Sequence, residues 1–201
     1  IFSEAVTVTN TPQITLETGD DDSTVGYSSG SGSTILVFNY TVSAGDASSD
    51  LDYVATNSLA LNGGTIKDAA GNAATLTLAT PSESNSLGAN KNFVVDTTAP
   101  TMTITAASGG SAVADGATSN DATLTLTFTS NEATTNFVVG DITVSGGSLS
   151  DFAATSSTVY TATFTPSAAG ATTIDVAAAK FKDAAGNDNS AATQFNWTYD
   201  T

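Results

Sequence analysis

The chain has 201 residues, and 40% of them are hydrophobic, which is enough for a substantial core and too much for a disordered chain. Its 20 acidic side chains outnumber four basic ones, so the net charge of −16 excludes nucleic acid and anionic membrane surfaces as partners and favours divalent cations. Because cysteine and histidine are both absent, zinc sites built on thiolate or imidazole and catalytic Ser-His-Asp or Cys-His arrangements are excluded as well.

Strand signals run through the first half of the chain as apolar residues that alternate with polar ones. The alternating positions are Ile14 and Leu16, then Leu36, Phe38, Tyr40 and Val42 within a predicted strand over residues 34–42, then Leu76 and Leu78. Clusters of Gly, Asp and Ser, such as residues 18–23, separate these runs and predict turns. No apolar run is long enough to span a membrane, so direct membrane insertion is not expected.

The second half repeats this pattern more clearly. Its alternating apolar positions are Leu124, Leu126 and Phe128 within residues 122–130, then Tyr160, Ala162 and Phe164 within residues 158–165, then Ile174 and Val176. Short alternating strands that recur about every 8–12 residues indicate β-sandwiches. The sequence therefore predicts an all-β fold.

An internal repeat divides the chain. Residues 67–72 (KDAAGN) recur identically at residues 182–187, and residues 92–97 recur in weaker form at residues 196–201. We place the boundary at residues 96–100, where Pro100 favours an extended, fairly stiff linker. The prediction is two tandem immunoglobulin-like β-sandwiches arranged end to end, with one domain over residues 1–96 and the other over residues 97–201.

The repeated segments also resemble a known family. In the first half they are FSEAVTV, LNGGTIKDAAGN and VDTTAPT, and in the second half FVVGDITVSGGSLSDF, YTATFTP and FKDAAGN. These segments look like the bacterial Ig-like repeats of giant secreted adhesins and calcium-rich surface proteins. The resemblance implies an extracellular location at the bacterial cell surface, a spacer role and frequent calcium binding. Family members carry a first strand and most of a second before the FSE segment, so the first domain is expected to be short of that part.

One pole of the second sandwich gathers a set of possible calcium ligands. Alternate loops of such a sandwich lie at opposite poles, which brings the linker residue Asp96 together with Glu132, Asp183 and Asn187. Calcium takes six to eight oxygen ligands from carboxylates, amides and backbone carbonyls, and it removes the repulsion between neighbouring carboxylates. The alternative is that each acid is a solvated turn residue, since Asp, Asn and Gly are common in turns for local reasons.

The same logic groups Glu4, Asp68 and Asn72 in the first domain, with a further ligand expected from a preceding repeat. Asp200, the counterpart of Asp96, is expected to serve a following repeat. Acids at residues 20–22 and 46–52 are candidates to complete the interdomain site. For the acids just before Tyr53 we favour a structural role, because a tyrosine corner is expected there at the start of a strand.

The predicted function is that of a structural spacer in an extracellular bacterial surface adhesin or fibre, stiffened by Ca²⁺ at its interdomain linkers. One alternative is a subunit of an extracellular filament or sheath assembled by strand donation between subunits. Another is a module that binds a carbohydrate or a receptor. The expected partners are adjacent Ig-like repeats or identical subunits, and no enzymatic activity is expected, since a small sandwich without a cleft offers no place for a carboxylate pair to act.

Overall fold

The computed structural model describes all residues from 1 to 201, and they form two compact units, Ile1–Thr97 and Thr98–Thr201. Both units are built almost entirely from strands and turns. The helical content is one α-helical turn, α1 (Leu87–Asn90), and one 3₁₀ turn (Val139–Asp141). Neither has the length and apolarity that crossing a membrane requires. The all-β prediction is therefore confirmed at the level of secondary structure.

The first unit contains six short strands in two sheets. They are β1 (Thr7–Thr9), β2 (Gln13–Leu16), β3 (Ser23–Ser29), β4 (Val37–Phe38), β5 (Leu59–Ala60) and β6 (Thr65–Lys67). One antiparallel sheet has the order β4-β3-β2-β5, and β1 pairs with β6 in a separate two-stranded sheet. The largest apolar cluster of this unit is small and consists of Leu16, Val25, Leu51, Tyr53 and Val95. Val6, Leu59 and Ile66 are also buried.

Two strand predictions in the first unit are wrong or only partly right. Residues 34–42 have the composition of a full strand, but only Val37 and Phe38 form one, and this strand lies at the end of its sheet. Leu76 and Leu78 lie outside any strand. Strand propensity reflects packing against neighbours on a pleated surface, so an alternating sequence does not form a long strand where neighbouring strands are missing.

The second unit has nine strands in two larger sheets. They are β7 (Met102–Ser108), β8 (Ser111–Val113), β9 (Ala117–Ser119), β10 (Leu124–Ser130), β11 (Ile142–Ser145), β12 (Gly147–Ala154), β13 (Val159–Pro166), β14 (Gly170–Val176) and β15 (Phe195–Tyr199). The strand orders are β12-β13-β10-β7-β8 and β11-β14-β15-β9. All pairs are antiparallel except β15 with β9. The strands predicted at residues 122–130 and 158–165 are confirmed as β10 and β13.

Sixteen buried apolar residues form the core of the second unit, fourteen from strands of both sheets and two, Phe137 and Phe181, from loops, so this unit is a β-sandwich. Leu124, Leu126 and Phe128 of β10 have no solvent exposure at all. Phe137 lies at the centre of an aromatic cluster, with its ring centroid 5.0 Å from that of Tyr160 and 5.2 Å from that of Phe181. This core fixes the loops that lead out of β10 and into β15, and those loops carry the candidate site residues.

Candidate metal site

The second copy of the repeated hexapeptide, residues 182–187, forms a tight loop around the side chain of Asp183. The backbone N–H groups of Gly186 and Asn187 donate to Asp183 Oδ1 at 2.7 and 2.9 Å. Asn187 Nδ2 donates to Asp183 Oδ2 at 2.8 Å. Gly186 has a φ of +98°, a left-handed conformation that glycine adopts without steric strain. The hexapeptide therefore holds its own carboxylate in one orientation.

Asp183 is also buried, with 3% of its surface exposed. Burial alone raises the pKa of its carboxyl, but the hydrogen bonds from Asn187 and Gly186 lower it by more, so the net pKa is below the usual value. The group is therefore ionised at neutral pH. The ammonium of the neighbouring Lys182 forms its ion pair with Asp188, at 2.6 Å, and not with Asp183.

The carboxylates of Asp96, Glu132 and Asp183 converge. One oxygen from each lies within 4.8 Å of the others, with Asp183 buried and the other two half-buried. Three anionic groups at this separation repel one another, and a cation among them would reverse the sign of that interaction. The structure thus brings together the three acids predicted to share one pole, and Asn187 lies beside them through its bonds to Asp183. Because Asn187 Nδ2 is directed at Asp183, Oδ1 is the atom of that amide that could ligate a cation.

The first copy of the hexapeptide has the same local geometry. The backbone N–H and Nδ2 of Asn72 donate to Asp68 Oδ1 and Oδ2 at 2.8 and 2.7 Å, and Gly71 has a φ of +92°. The hydrogen bond from the Asn72 side chain, followed by that from its backbone, lowers the pKa of Asp68. The loop conformation is thus a property of the six residues and not of the surrounding core.

Glu4, Asp68 and Asn72 line one cavity of about 440 Å³ in the first unit, beside Ile1 and Phe2. The prediction that these three residues share a location agrees with this placement. Glu4 is exposed, however, and Asp68 is half-buried, so the carboxylates are more hydrated than those in the second unit. They do not belong to a group of three converging acids.

The acids at residues 46–52 have local roles within the first unit. Asp46 accepts hydrogen bonds from Tyr40 Oη and the backbone N–H of Ser43, both at 2.7 Å. These bonds, that of Tyr40 first, lower the pKa of Asp46, while burial and the bond to Asp46 raise the pKa of Tyr40 to about 12. Asp46 therefore stabilises its own loop, and it is not a candidate ligand on geometric grounds.

Asp52 is buried and accepts the backbone N–H groups of Tyr53, Ser82 and Leu87 at 2.9, 3.0 and 3.2 Å. It ties the start of α1 to the loop before Tyr53, a role that sequence reasoning missed because its partners lie 30 and 35 residues away.

Tyr53 is buried, but its hydroxyl donates to Ala79 O, downstream in the chain, and Tyr53 makes only an isolated bridge with Leu16. The expected tyrosine corner at the start of a strand is therefore wrong in detail. The acids at residues 20–22 and Asp200 are exposed.

Comparison with known protein families gives a match that covers the second unit. The family model described as the bacterial Ig-like domain matches residues 96–199, which is just over half of the chain. The chain therefore belongs to the bacterial Ig-like domain family, as its sequence segments indicated. The match begins at Asp96 and includes Glu132, Asp183 and Asn187. Neither the curated proteins nor the solved structures gave a significant match to the chain.

Proposed function

We propose that this chain is a structural spacer segment of an extracellular bacterial surface adhesin or fibre, and that Ca²⁺ bound near residue 96 stiffens it. The observation that carries the proposal is the convergence of Asp96, Glu132 and Asp183. Membership of the bacterial Ig-like domain family supports a module of a surface protein. The work of such a module is mechanical, and it needs no catalytic group.

The chemistry of the site favours calcium over other metals. All the available side-chain ligands are oxygens, which hard cations prefer, and the chain has no cysteine or histidine to hold zinc or copper. Three carboxylates and one amide supply four of the six to eight oxygens that calcium takes at 2.3–2.6 Å, and backbone carbonyls or water would supply the rest. Magnesium requires a stricter octahedral arrangement and retains most of its water, so it fits a set of separate side chains less well.

A metal held by Asp96 acts on the linker. Asp96 is four residues before Pro100, and ligation would restrict the backbone dihedrals between the two residues. Binding confined to the folded state also raises stability by mass action. The proposed partners are adjacent Ig-like repeats: Asp200 would serve a following repeat as Asp96 serves residues 98–201, and Glu4, Asp68 and Asn72 would receive a ligand from a preceding one.

Thermal melts in calcium and in chelator test the binding. We expect calcium at 100 times its dissociation constant to stabilise the second unit by about 2.7 kcal/mol. Asp183→Asn and Glu132→Gln should each reduce that gain, whereas Asp151→Asn, which changes an exposed acid with a φ of +53°, should leave it unchanged. Identical melts with and without calcium, together with no bound metal by elemental analysis, would remove the calcium proposal.

Small-angle scattering tests the stiffening separately from the binding. The maximum dimension of the chain should become longer and better defined when calcium is added. Asp96→Asn should diminish this change while both units stay folded, because Asp96 belongs to the linker and not to either core. If calcium binds but the scattering curve does not change, the site stabilises only the residues around it and does not stiffen the linker.

A further inference from the structure

The last strand of the second unit, β15, lies between a strand that directly precedes it along the chain and one from the beginning of the unit. On one side, residues 195–199 of β15 pair antiparallel with β14. On the other side, residues 197–199 pair parallel with residues 117–119 of β9, and Trp197 Nε1 donates to Ser119 Oγ at 3.0 Å. The parallel pair therefore joins the early and the late part of the unit.

Hydrogen bonds extend this short pair beyond both of its ends. At the first end, Asp115 Oδ1 accepts the backbone N–H of Asn196 at 2.6 Å and its Nδ2 at 3.2 Å. The backbone N–H of Gly116 donates to Asn196 O at 2.7 Å. At the second end, the backbone N–H of Asp200 donates to Ser119 O at 3.0 Å. The two segments in contact are therefore residues 115–119 and residues 196–200.

The first and the last strand of the unit begin at the same end of the sandwich. Met102, the first residue of β7, lines a cavity of about 130 Å³ together with Asp115 and with Phe195, the first residue of β15. The last residue of β15, Tyr199, lies one strand length away from this end. A pull between the beginning and the end of the unit is therefore directed along β15, and it slides this strand against its neighbours.

Such a pull can open the unit by two routes. If β15 leaves first, it separates from β14 and from β9. If β7, β8 and β9 leave first, β7 separates from β10 and β9 separates from β15. The pair of β9 and β15 has to break on both routes, and no other strand pair is common to them. Because the strands slide along each other, several hydrogen bonds of this pair bear the tension together.

We propose that the parallel pair of β9 and β15 is the force-bearing contact of the second unit, and that Asp115 strengthens it. This role rests on the proposed function, because tension along the chain is what a spacer meets. The carboxylate of Asp115 accepts two donors of Asn196, and hydrogen bonds to a carboxylate are stronger than those between neutral groups. None of the three carboxylates of the candidate metal site belongs to the contact, so the contact should resist tension in chelator as well.

Single-molecule force spectroscopy in chelator tests the proposal. The chain has no cysteine, so introduced cysteines provide unique attachment points in the full chain. Ala99→Cys with Thr201→Cys applies tension to the second unit alone and slides the strands. Asn120→Cys with Thr201→Cys pulls on the neighbouring ends of β9 and β15 and opens the same pair one bond after another. At one pulling speed, we expect the unfolding force to be at least about twofold higher in the sliding geometry, because the bonds then break together.

Asp115→Ala tests the contribution of the side chain. We expect it to lower the force in the sliding geometry by at least about one fifth, because two bonds of the contact are lost. The force in the opening geometry should not change, since these bonds lie at the end that opens last. Asp141→Ala is the matched control: this carboxylate accepts the backbone N–H of Val138 at 2.9 Å, outside both strands, and its loss should change neither force.

Urea unfolding followed at Trp197 shows whether each variant is folded before it is pulled. Equal forces in the two geometries would overturn the proposal for the strand pair. An unchanged sliding force in Asp115→Ala, or the same fractional loss in both geometries, would overturn the role of Asp115. Neither result would affect calcium-dependent stiffening, which the melts and the scattering test, and a failure of those tests would leave the forces measured in chelator as they are.

Discussion

The two units of this chain carry the same hexapeptide loop on very different cores. Asp68 and Asp183 each receive a backbone N–H and the amide nitrogen of the asparagine four residues later, at distances that agree within about 0.1 Å. Yet eight apolar residues are buried in the first unit, five of them in one cluster, whereas sixteen are buried in the second unit and all belong to one cluster. Six residues are enough to build the loop, since every bond in it joins near neighbours. The core depends on strands that are distant in sequence.

The largest effect expected from this difference is on core truncation. Phe128→Ala removes a fully buried ring from β10 and should destabilise the second unit by about 3–5 kcal/mol. Phe38→Ala removes a half-buried ring that lines a cavity of about 440 Å³, and it should destabilise the first unit by much less, because fewer packing contacts are lost. Trp197 is the only tryptophan and lies in the second core, so its fluorescence during urea unfolding follows that unit alone.

Hydrogen exchange at core amides provides the matching measurement for the first unit. If Phe38→Ala accelerates exchange at Val25 by as much as Phe128→Ala accelerates it at Ile174, the first core is as well packed as the second. The difference in packing between the two units would then be absent.

The next effect concerns the order in which the units open. In chelator, we expect the amide of Val25 to exchange at least about a hundredfold faster than that of Ile174, because the smaller core supports a lower opening free energy. Native-state exchange followed by mass spectrometry or NMR measures both sites in one sample. A single cooperative unfolding of the whole chain, with equal protection at both sites, would contradict this expectation.

A smaller effect should separate the two loops. Asp183→Ala removes three hydrogen-bond acceptor contacts from a buried loop and leaves N–H groups unsatisfied, so we expect a loss of about 2 kcal/mol in the second unit in chelator. Asp68→Ala should have less effect, because water can replace the carboxylate at its half-buried position. Urea unfolding monitored at Trp197 gives the first value. Hydrogen exchange at Ile66, which is buried beside the first loop, gives the second. Equal losses would show that burial of the loop is unimportant.

Sequence reasoning succeeded where structure follows from nearby residues. The alternation in residues 122–130 and 158–165 predicted β10 and β13 correctly. Both strands form over most of the predicted length because each has a neighbouring strand on both sides. Residues 34–42 also carry apolar residues at alternate positions, but they formed only a two-residue strand. Strand propensity describes single residues and contains no information on whether a neighbouring strand is present. The grouping of Asp96, Glu132 and Asp183 followed from the loop order of a sandwich, whereas the bonds of Asp52 to Ser82 and Leu87 follow from no local pattern.

The smallest expected effect is a dependence of stability on pH through Asp183. Its pKa is lowered in the folded state, where burial opposes the shift but the bonds from Asn187 and Gly186 outweigh it. A carboxyl with a lowered folded pKa contributes stability that is fully present above its unfolded pKa of about 3.9 and is lost as the pH falls through the folded pKa. Urea unfolding of the second unit in chelator, followed at Trp197, should therefore show a decline below about pH 4 that is shallower in Asp183→Asn than in the wild-type chain. Asp151→Asn serves as the control, since Asp151 is exposed and should leave the profile unchanged. Parallel profiles for Asp183→Asn and the wild type would mean that the loop does not favour the ionised carboxylate of Asp183. The proposed cation site would then lose the support that the lowered pKa of Asp183 gives it.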